Sequence, residues 1–160
     1  MKHARTWEKF VIGFTLCTAA LLADLQGSAS ARQGSEANQG KRVLKIRIEV
    51  EGTAVLATLN GSPSARDFVS LLPLTMTLED YGGIEKIAYL PRKLSTRDAP
   101  AGVRPMTGDL AYYAPWGNLA IFHGDFKDSP GLVRLGSIGT GIEALRRPGP
   151  LKATISVVED

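Results

Sequence analysis

The chain has one cysteine, Cys17, and two histidines, His3 and His123, in 160 residues. Cys17 falls in the first 31 residues, so a protein that loses that stretch has no disulfide, no redox pair and no thiolate metal ligand. His123 is then the one remaining imidazole, too little for a structural zinc site, and neither a metal nor another cofactor is expected. No Gly-x-Ser-x-Gly elbow is present to recruit His123 into a hydrolase triad. "GSIGTG" (Gly136–Gly141) has neither dinucleotide-binding nor P-loop spacing and reads as a turn. Excess charge is scarce too. The net charge is +3, from 19 basic and 16 acidic residues, which is too mild for a nucleic-acid partner. Aromatic residues make up 7% of the chain, and their scarcity makes their placement informative. Tyr112, Tyr113, Trp116, Phe122 and Phe126 crowd into "GDLAYYAPWGNLAIFHGDF" (Gly108–Phe126), while Phe68, Tyr81 and Tyr89 stand elsewhere beyond the N-terminal leader.

That leader, residues 1–31, reads as a signal peptide. Lys2, Arg5 and Lys9 form a positive start, Phe10 to Ala23 is an uncharged apolar run, and "ASA" (Ala29–Ala31) offers a small-x-small cleavage pattern. The run has 14 residues, short of the roughly 20 that a spanning helix needs. Cys17 follows Leu16, where lipoprotein processing requires a small residue. The expectation is an exported protein, periplasmic or secreted, that is not held at a membrane once cleaved. The leader carries three basic and two acidic residues, which leaves +2 on residues 32–160.

Residues 32–42 ("RQGSEANQGKR") are polar and aperiodic and are expected to form a flexible arm. One domain follows, 43–160. In "VLKIRIEVEG", Leu44, Ile46, Ile48 and Val50 alternate with charged residues, the pattern of a half-buried antiparallel strand. Glu51-Gly52 turns the chain into "TAVLATL", which ends at Asn60-Gly61. A short helix is predicted next, with Ser64 and Asp67 as a capping-box-like pair, Pro63 near its start and Ala65, Phe68, Val69 and Leu72 on one face. Further strands are predicted over Leu74–Glu79 and Ile84–Leu90, in the hairpin arms Leu110–Ala114 and Asn118–Phe122, and in "LVRLGSI". "IEAL" makes at most one helical turn, and "LKATISVVE" is a closing strand. Residues 91–109 are rich in Pro and Gly and read as a long loop, either functional or disordered.

Seven or eight short strands with one short helix place the protein in the mainly β class, as a closed β-barrel. Pairing of the terminal strands, Val43–Val50 with Leu151–Val158, closes it and removes exposed edges.

Period-two alternation sends Tyr112 and Tyr113 to opposite faces of their strand, so one ring is left to face a groove or the surface. The expected groove is bordered by Tyr81, Tyr89, Tyr112, Tyr113, Trp116 and Asn118, while Phe122 and Phe126 mostly pack. Glu79 and Asp80 read as ordinary carboxylates before a turn, and Arg92 and Lys93 stand at the start of the long loop.

Three blocks, "ARDFVSLLPLTMTLEDYGG", "EKIAYLPRKLST" and "GDLAYYAPWGNLAIF", together resemble a family of bacterial cyclophilin-like proteins, over nearly all of the chain from Val43 onward. The resemblance implies a cyclophilin-like barrel, and a flavodoxin-like partner for some members. True cyclophilins are peptidyl-prolyl isomerases, whose shallow apolar groove holds one arginine that hydrogen-bonds the prolyl substrate. By that resemblance Arg92 is the catalytic candidate, facing the groove. The isomerase signature, Phe-His-Arg followed by Phe and then Gln-Gly-Gly-Asp, is absent. The expected function is therefore binding of a peptide segment or small apolar ligand by a monomer. The alternatives are a periplasmic isomerase that uses Arg92, or a small-molecule enzyme of unknown reaction.

Overall fold

The computed structural model describes residues 44–158. The expected signal peptide and flexible arm lie outside the described residues. Strands β1 (Leu44–Val50), β2 (Thr53–Leu59), β3 (Leu74–Tyr81), β4 (Glu85–Tyr89), β6 (Asp109–Tyr113), β7 (Asn118–Phe122), β9 (Leu132–Thr140) and β10 (Leu151–Val157) form a closed antiparallel barrel in the order β1-β10-β3-β4-β7-β6-β9-β2. Two short strands, β5 (Gly102–Val103) and β8 (Ser129–Pro130), pair with each other as a separate two-stranded sheet. The terminal strands are neighbours as expected, with Ile46 opposite Val157 and Val50 opposite Ala153. Every barrel strand therefore has two partners, and among the described residues the barrel itself has no open edge.

The alternation seen in the sequence becomes an inside and an outside. Ile46, Ile48 and Val50 of β1 are fully buried, as are Leu110 and Tyr112 of β6 and Leu119 and Ile121 of β7. They join one cluster with Leu78, Leu135 and Ile155. A smaller cluster lies on the opposite face of β6 and β7. Ala111, Ala120 and Phe122 pack there with Leu132, against Ile84, Ile87, Val103 and Tyr113. The barrel wall is thus apolar on both faces at this one place, which is how a strand reads when something covers it outside as well as in.

Helix α1 (Pro63–Val69) buries Ala65 and Phe68 against the main core. Its cap differs from the expected Ser64–Asp67 pair. Pro63 occupies the first helical turn, so the residue before it is the N-cap: Ser62 accepts a hydrogen bond from the Ala65 amide at 3.2 Å. That frees Ser64, which is buried and donates through Oγ to the Ser95 carbonyl at 2.6 Å. "IEAL" sits in a 3-10 helix over Ile142–Arg146, whose Leu145 is fully buried.

The long loop is held down along its length. Leu94 is buried in the main core and its amide donates to the Tyr112 hydroxyl at 3.2 Å. The Ser95 amide donates to Asp67 at 2.6 Å. The Met106 amide donates to Asp109 at 2.9 Å, and the Thr107 amide and hydroxyl donate to Asp125 at 2.7 and 2.8 Å. In the middle, β5 pairs with β8 so closely that a Cβ on Gly102 would lie 2.5 Å from the Ser129 carbonyl oxygen.

Candidate functional site

The outer-face cluster leads into a cleft. Residues on β4 and β7 that point outward by alternation, namely Glu85, Ile87, Asn118 and Phe122, line its floor, and Tyr113 joins them from β6. Trp116, from the turn between β6 and β7, and Tyr81, at the end of β3, form one wall, and residues 126–130 form the other. The cleft encloses about 280 Å³, at the small end of the size range of ligand sites. Glu85 pairs with Phe122 and Tyr89 with Asn118 across β4 and β7. At about 3.3 Å per residue, Glu85 and Asn118 therefore mark positions some 13 Å apart along the strands.

Trp116 is the keystone of the aromatic wall. Its ring meets Tyr81 edge-on at 5.5 Å and 90°, and Tyr113 at 5.4 Å and 80°. Both are favoured edge-to-face geometries. The tight turn that projects it closes with the Gly117 amide donating to the Tyr113 carbonyl at 2.8 Å. Gly117 has φ of 76° there, a conformation that glycine adopts without strain. Trp116 nevertheless remains 47% exposed, a large ring supported at its edges and open to solvent.

The polar groups of the cleft are poorly satisfied. Asn118 is 2% exposed. Its amide nitrogen donates to the Leu119 carbonyl at 3.1 Å, and its Oδ1 has no hydrogen-bond partner. A buried acceptor without a partner costs about 1–3 kcal/mol, and such groups are uncommon in folded proteins. Glu85 is half-buried, and desolvation pushes its carboxyl up to about 7. Lys127 Nζ lies 5.8 Å from the centroid of the Phe126 ring, within cation–π range.

Of the residues expected to border a groove, Tyr81, Tyr113, Trp116 and Asn118 are brought together here. Tyr112 is not. It is fully buried inside the barrel, because alternation that sends Tyr113 out sends Tyr112 in, and its hydroxyl is satisfied by the Leu94 amide. Tyr89 is 66% exposed and lies beyond the cleft lining, although it faces the same side of β4 as Glu85 and Ile87. Arg92 does not face the cleft. Its guanidinium grips both oxygens of Asp67 on α1, at 3.1 and 2.6 Å, and donates to Ser70 Oγ at 2.8 Å. This contact holds the Asp67 carboxyl below its usual range and raises the arginine further. The pair, together with the Ser95 amide, ties the long loop to the helix.

Phe122 packs as expected, but it also lines the cleft, and Phe126 stays 43% exposed at its rim. A run of Gly, Asp and Lys around Phe126 places it on a surface segment, away from any strand with a buried face. Glu85 escaped sequence reasoning, although period-two counting along "EKIAY" puts it on the same face as Ile87. Lys86, on the opposite face, is completely buried. It reaches the Gly149 carbonyl at 2.7 Å and Asp80 at 2.5 Å. Asp80 also accepts from the Gly149 amide at 2.6 Å, so this carboxylate, expected to be an ordinary turn residue, staples the segment before β10 to β3. Glu79, its neighbour, is exposed.

Among the described residues no three or more His, Cys, Asp or Glu side chains cluster to hold a metal, and no helix is long and apolar enough to cross a membrane. No curated protein matches the chain. The solution structure of a hypothetical protein from Archaeoglobus fulgidus is similar, with 20% identity and a TM-score of 0.55, covering 74% of this chain and 99% of that one. At that identity the likeness concerns the fold. Residues 48–156, which hold all of the barrel but its outermost residues and the whole cleft lining, match the Cyclophilin-like family, and the chain belongs to that family.

Proposed function

We propose that the protein is an exported, monomeric binding module that accommodates a peptide segment or a small, largely apolar ligand in the cleft on the outer face of its barrel. The observation that carries this reading is Asn118: a buried amide whose acceptor oxygen has no partner, at the floor of a cleft walled by aromatic rings. A few placed polar atoms within an apolar concavity are the usual composition of a ligand site, and Asn118 lines this one with its acceptor unmatched. Export is supported by the charged start, short apolar run and Ala-x-Ala of the leader. A monomer is consistent with a barrel whose strands are all paired.

Binding is favoured over isomerisation because the one arginine considered for catalysis is engaged by Asp67 and Ser70. Stabilising a twisted prolyl amide needs a donor aimed at the reacting group in a partly dry site, and Arg92 is absent from the cleft lining. The test is a titration with the neutral, environment-sensitive dye Nile red. Saturable binding that Trp116→Ala weakens by about ten-fold or more supports the cleft as the site, as for an aromatic anchor. Binding that ignores Trp116→Ala, or no binding, contradicts it.

A further inference from the structure

The proposal that follows rests on the reading of the cleft as a ligand site and names the chemistry of its occupant. We propose that the cleft takes a small organic cation, an ammonium group with apolar substituents, held by the rings of Tyr81, Tyr113 and Trp116, with the Asn118 amide oxygen and the Glu85 carboxyl as its polar counterparts.

Three observations converge on this choice. The first is the arrangement of the rings. Trp116 stands nearly perpendicular to both Tyr81 and Tyr113, with centroids 5.5 and 5.4 Å away. Aromatic faces carry negative potential, and the faces left uncovered by these edge-on contacts lie at right angles to one another, which suits a compact cation within about 6 Å of the ring centroids. The second is the sign of the polar groups. The orphaned atom in the cleft is an acceptor, Asn118 Oδ1, and Glu85 and Asp128 are acidic. Among the described residues no basic side chain is paired with Glu85. Burial alone disturbs its titration, so a cation arriving in the cleft meets a carboxyl that lacks a counter-charge.

The third is Lys127, the one basic side chain in the lining. It lies against Phe126, which shows that a ring at the rim already accommodates an ammonium. An anionic ligand would face Asp128, a Glu85 carboxyl that burial leaves only partly ionised near neutral pH and the negative faces of several rings, with a single lysine to receive it. A wholly neutral apolar ligand would cover the half-buried Glu85 carboxyl and leave it, like the already buried Asn118 oxygen, without a partner, a cost that burial of polar groups makes substantial.

Choline and 3,3-dimethylbutan-1-ol test this directly, since they share a shape and differ in one atom, a quaternary nitrogen against a carbon. The full chain carrying Trp7→Phe keeps Trp116 as its sole tryptophan, and its emission reports on the cleft. At constant ionic strength, choline is expected to saturate the Trp116 signal with an affinity at least about ten-fold tighter than that of the alcohol. Glu85→Gln is expected to narrow that ratio. An alcohol that binds as tightly as choline overturns the cation assignment while leaving a ligand cleft in place. Binding of neither also overturns it, and Nile red in the same samples then decides whether the cleft binds ligands at all.

Discussion

Lys86, without any exposed surface, ends 2.5 Å from Asp80 and 2.7 Å from the Gly149 carbonyl oxygen. A buried ammonium is tolerated only when it is paired and hydrogen-bonded. Here the pairing also closes the structure, because Asp80 lies in β3 and Gly149 just precedes β10. Removing one member should hurt more than removing the charge cleanly. Lys86→Met fills similar volume without a charge and should shift stability by less than about 1.5 kcal/mol. Asp80→Ala leaves Lys86 buried with a single acceptor and should be the more damaging change. Denaturant midpoints of both single variants and the double variant check this, and the double should lie closer to wild type than Asp80→Ala alone.

Tyr112 is expected to act through one hydrogen bond. Tyr112→Phe keeps the ring in the core and strips the Leu94 amide of its acceptor, a loss of about 1–3 kcal/mol for a buried donor left unpaired. Amide hydrogen exchange should accelerate first at Leu94 and its neighbours in the loop. Uniform acceleration across the barrel, or none, contradicts a local anchoring role.

Gly136 is needed for strand approach. A Cβ there would lie 2.2 Å from the Thr58 carbonyl oxygen of β2 and 2.8 Å from Leu59 Cα, and strand backbone has little room to yield. Gly136→Ala should destabilise by about 1–3 kcal/mol or more, whereas Gly139→Ala, with its nearest atom at 3.7 Å, should cost far less. Equal midpoints for the two variants contradict the packing of β2 against β9.

Glu85 gives the protein a pH dependence of definite sign. Its carboxyl titrates near 7 when folded, against an ordinary value of 4.5, so the folded state holds the extra proton between those values. Stability therefore falls as pH rises from about 4.5 to about 7. Half-exposure reduces the effect to roughly 1 kcal/mol. Glu85→Gln should flatten that part of the stability profile. A wild-type slope of opposite sign in this window, with the variant unchanged, contradicts the assignment.

The barrel was legible because its strands obey period two. "LKIRIEV" and "LKATISV" show their buried face residue by residue, and their pairing follows from the need to close edges. Tyr113, Trp116 and Asn118 were legible for a related reason, since the turn and its flanking alternation fix where they point. Arg92 was not, because its partner Asp67 is 25 residues away and periodicity carries no information about contacts between a loop and a helix. Lys86 misleads similarly: a lysine in a strand reads as solvent-facing until Asp80 and Gly149 are seen to receive it. Phe126 lies in an irregular segment with no period from which its exposure follows.

On the proposed reading, Trp116 and Phe122, six residues apart in one hairpin, divide binding from folding. Phe122 is buried in the outer-face cluster and Trp116 stands half-exposed above it. Denaturant midpoints and Nile red affinities of Trp116→Ala and Phe122→Ala test it most directly. Trp116→Ala should weaken binding by about 1–3 kcal/mol with a modest loss of stability, and Phe122→Ala should cost about 3–5 kcal/mol of stability. If Trp116→Ala unfolds the protein while Phe122→Ala leaves its midpoint unchanged, the division of the hairpin into wall and core is wrong.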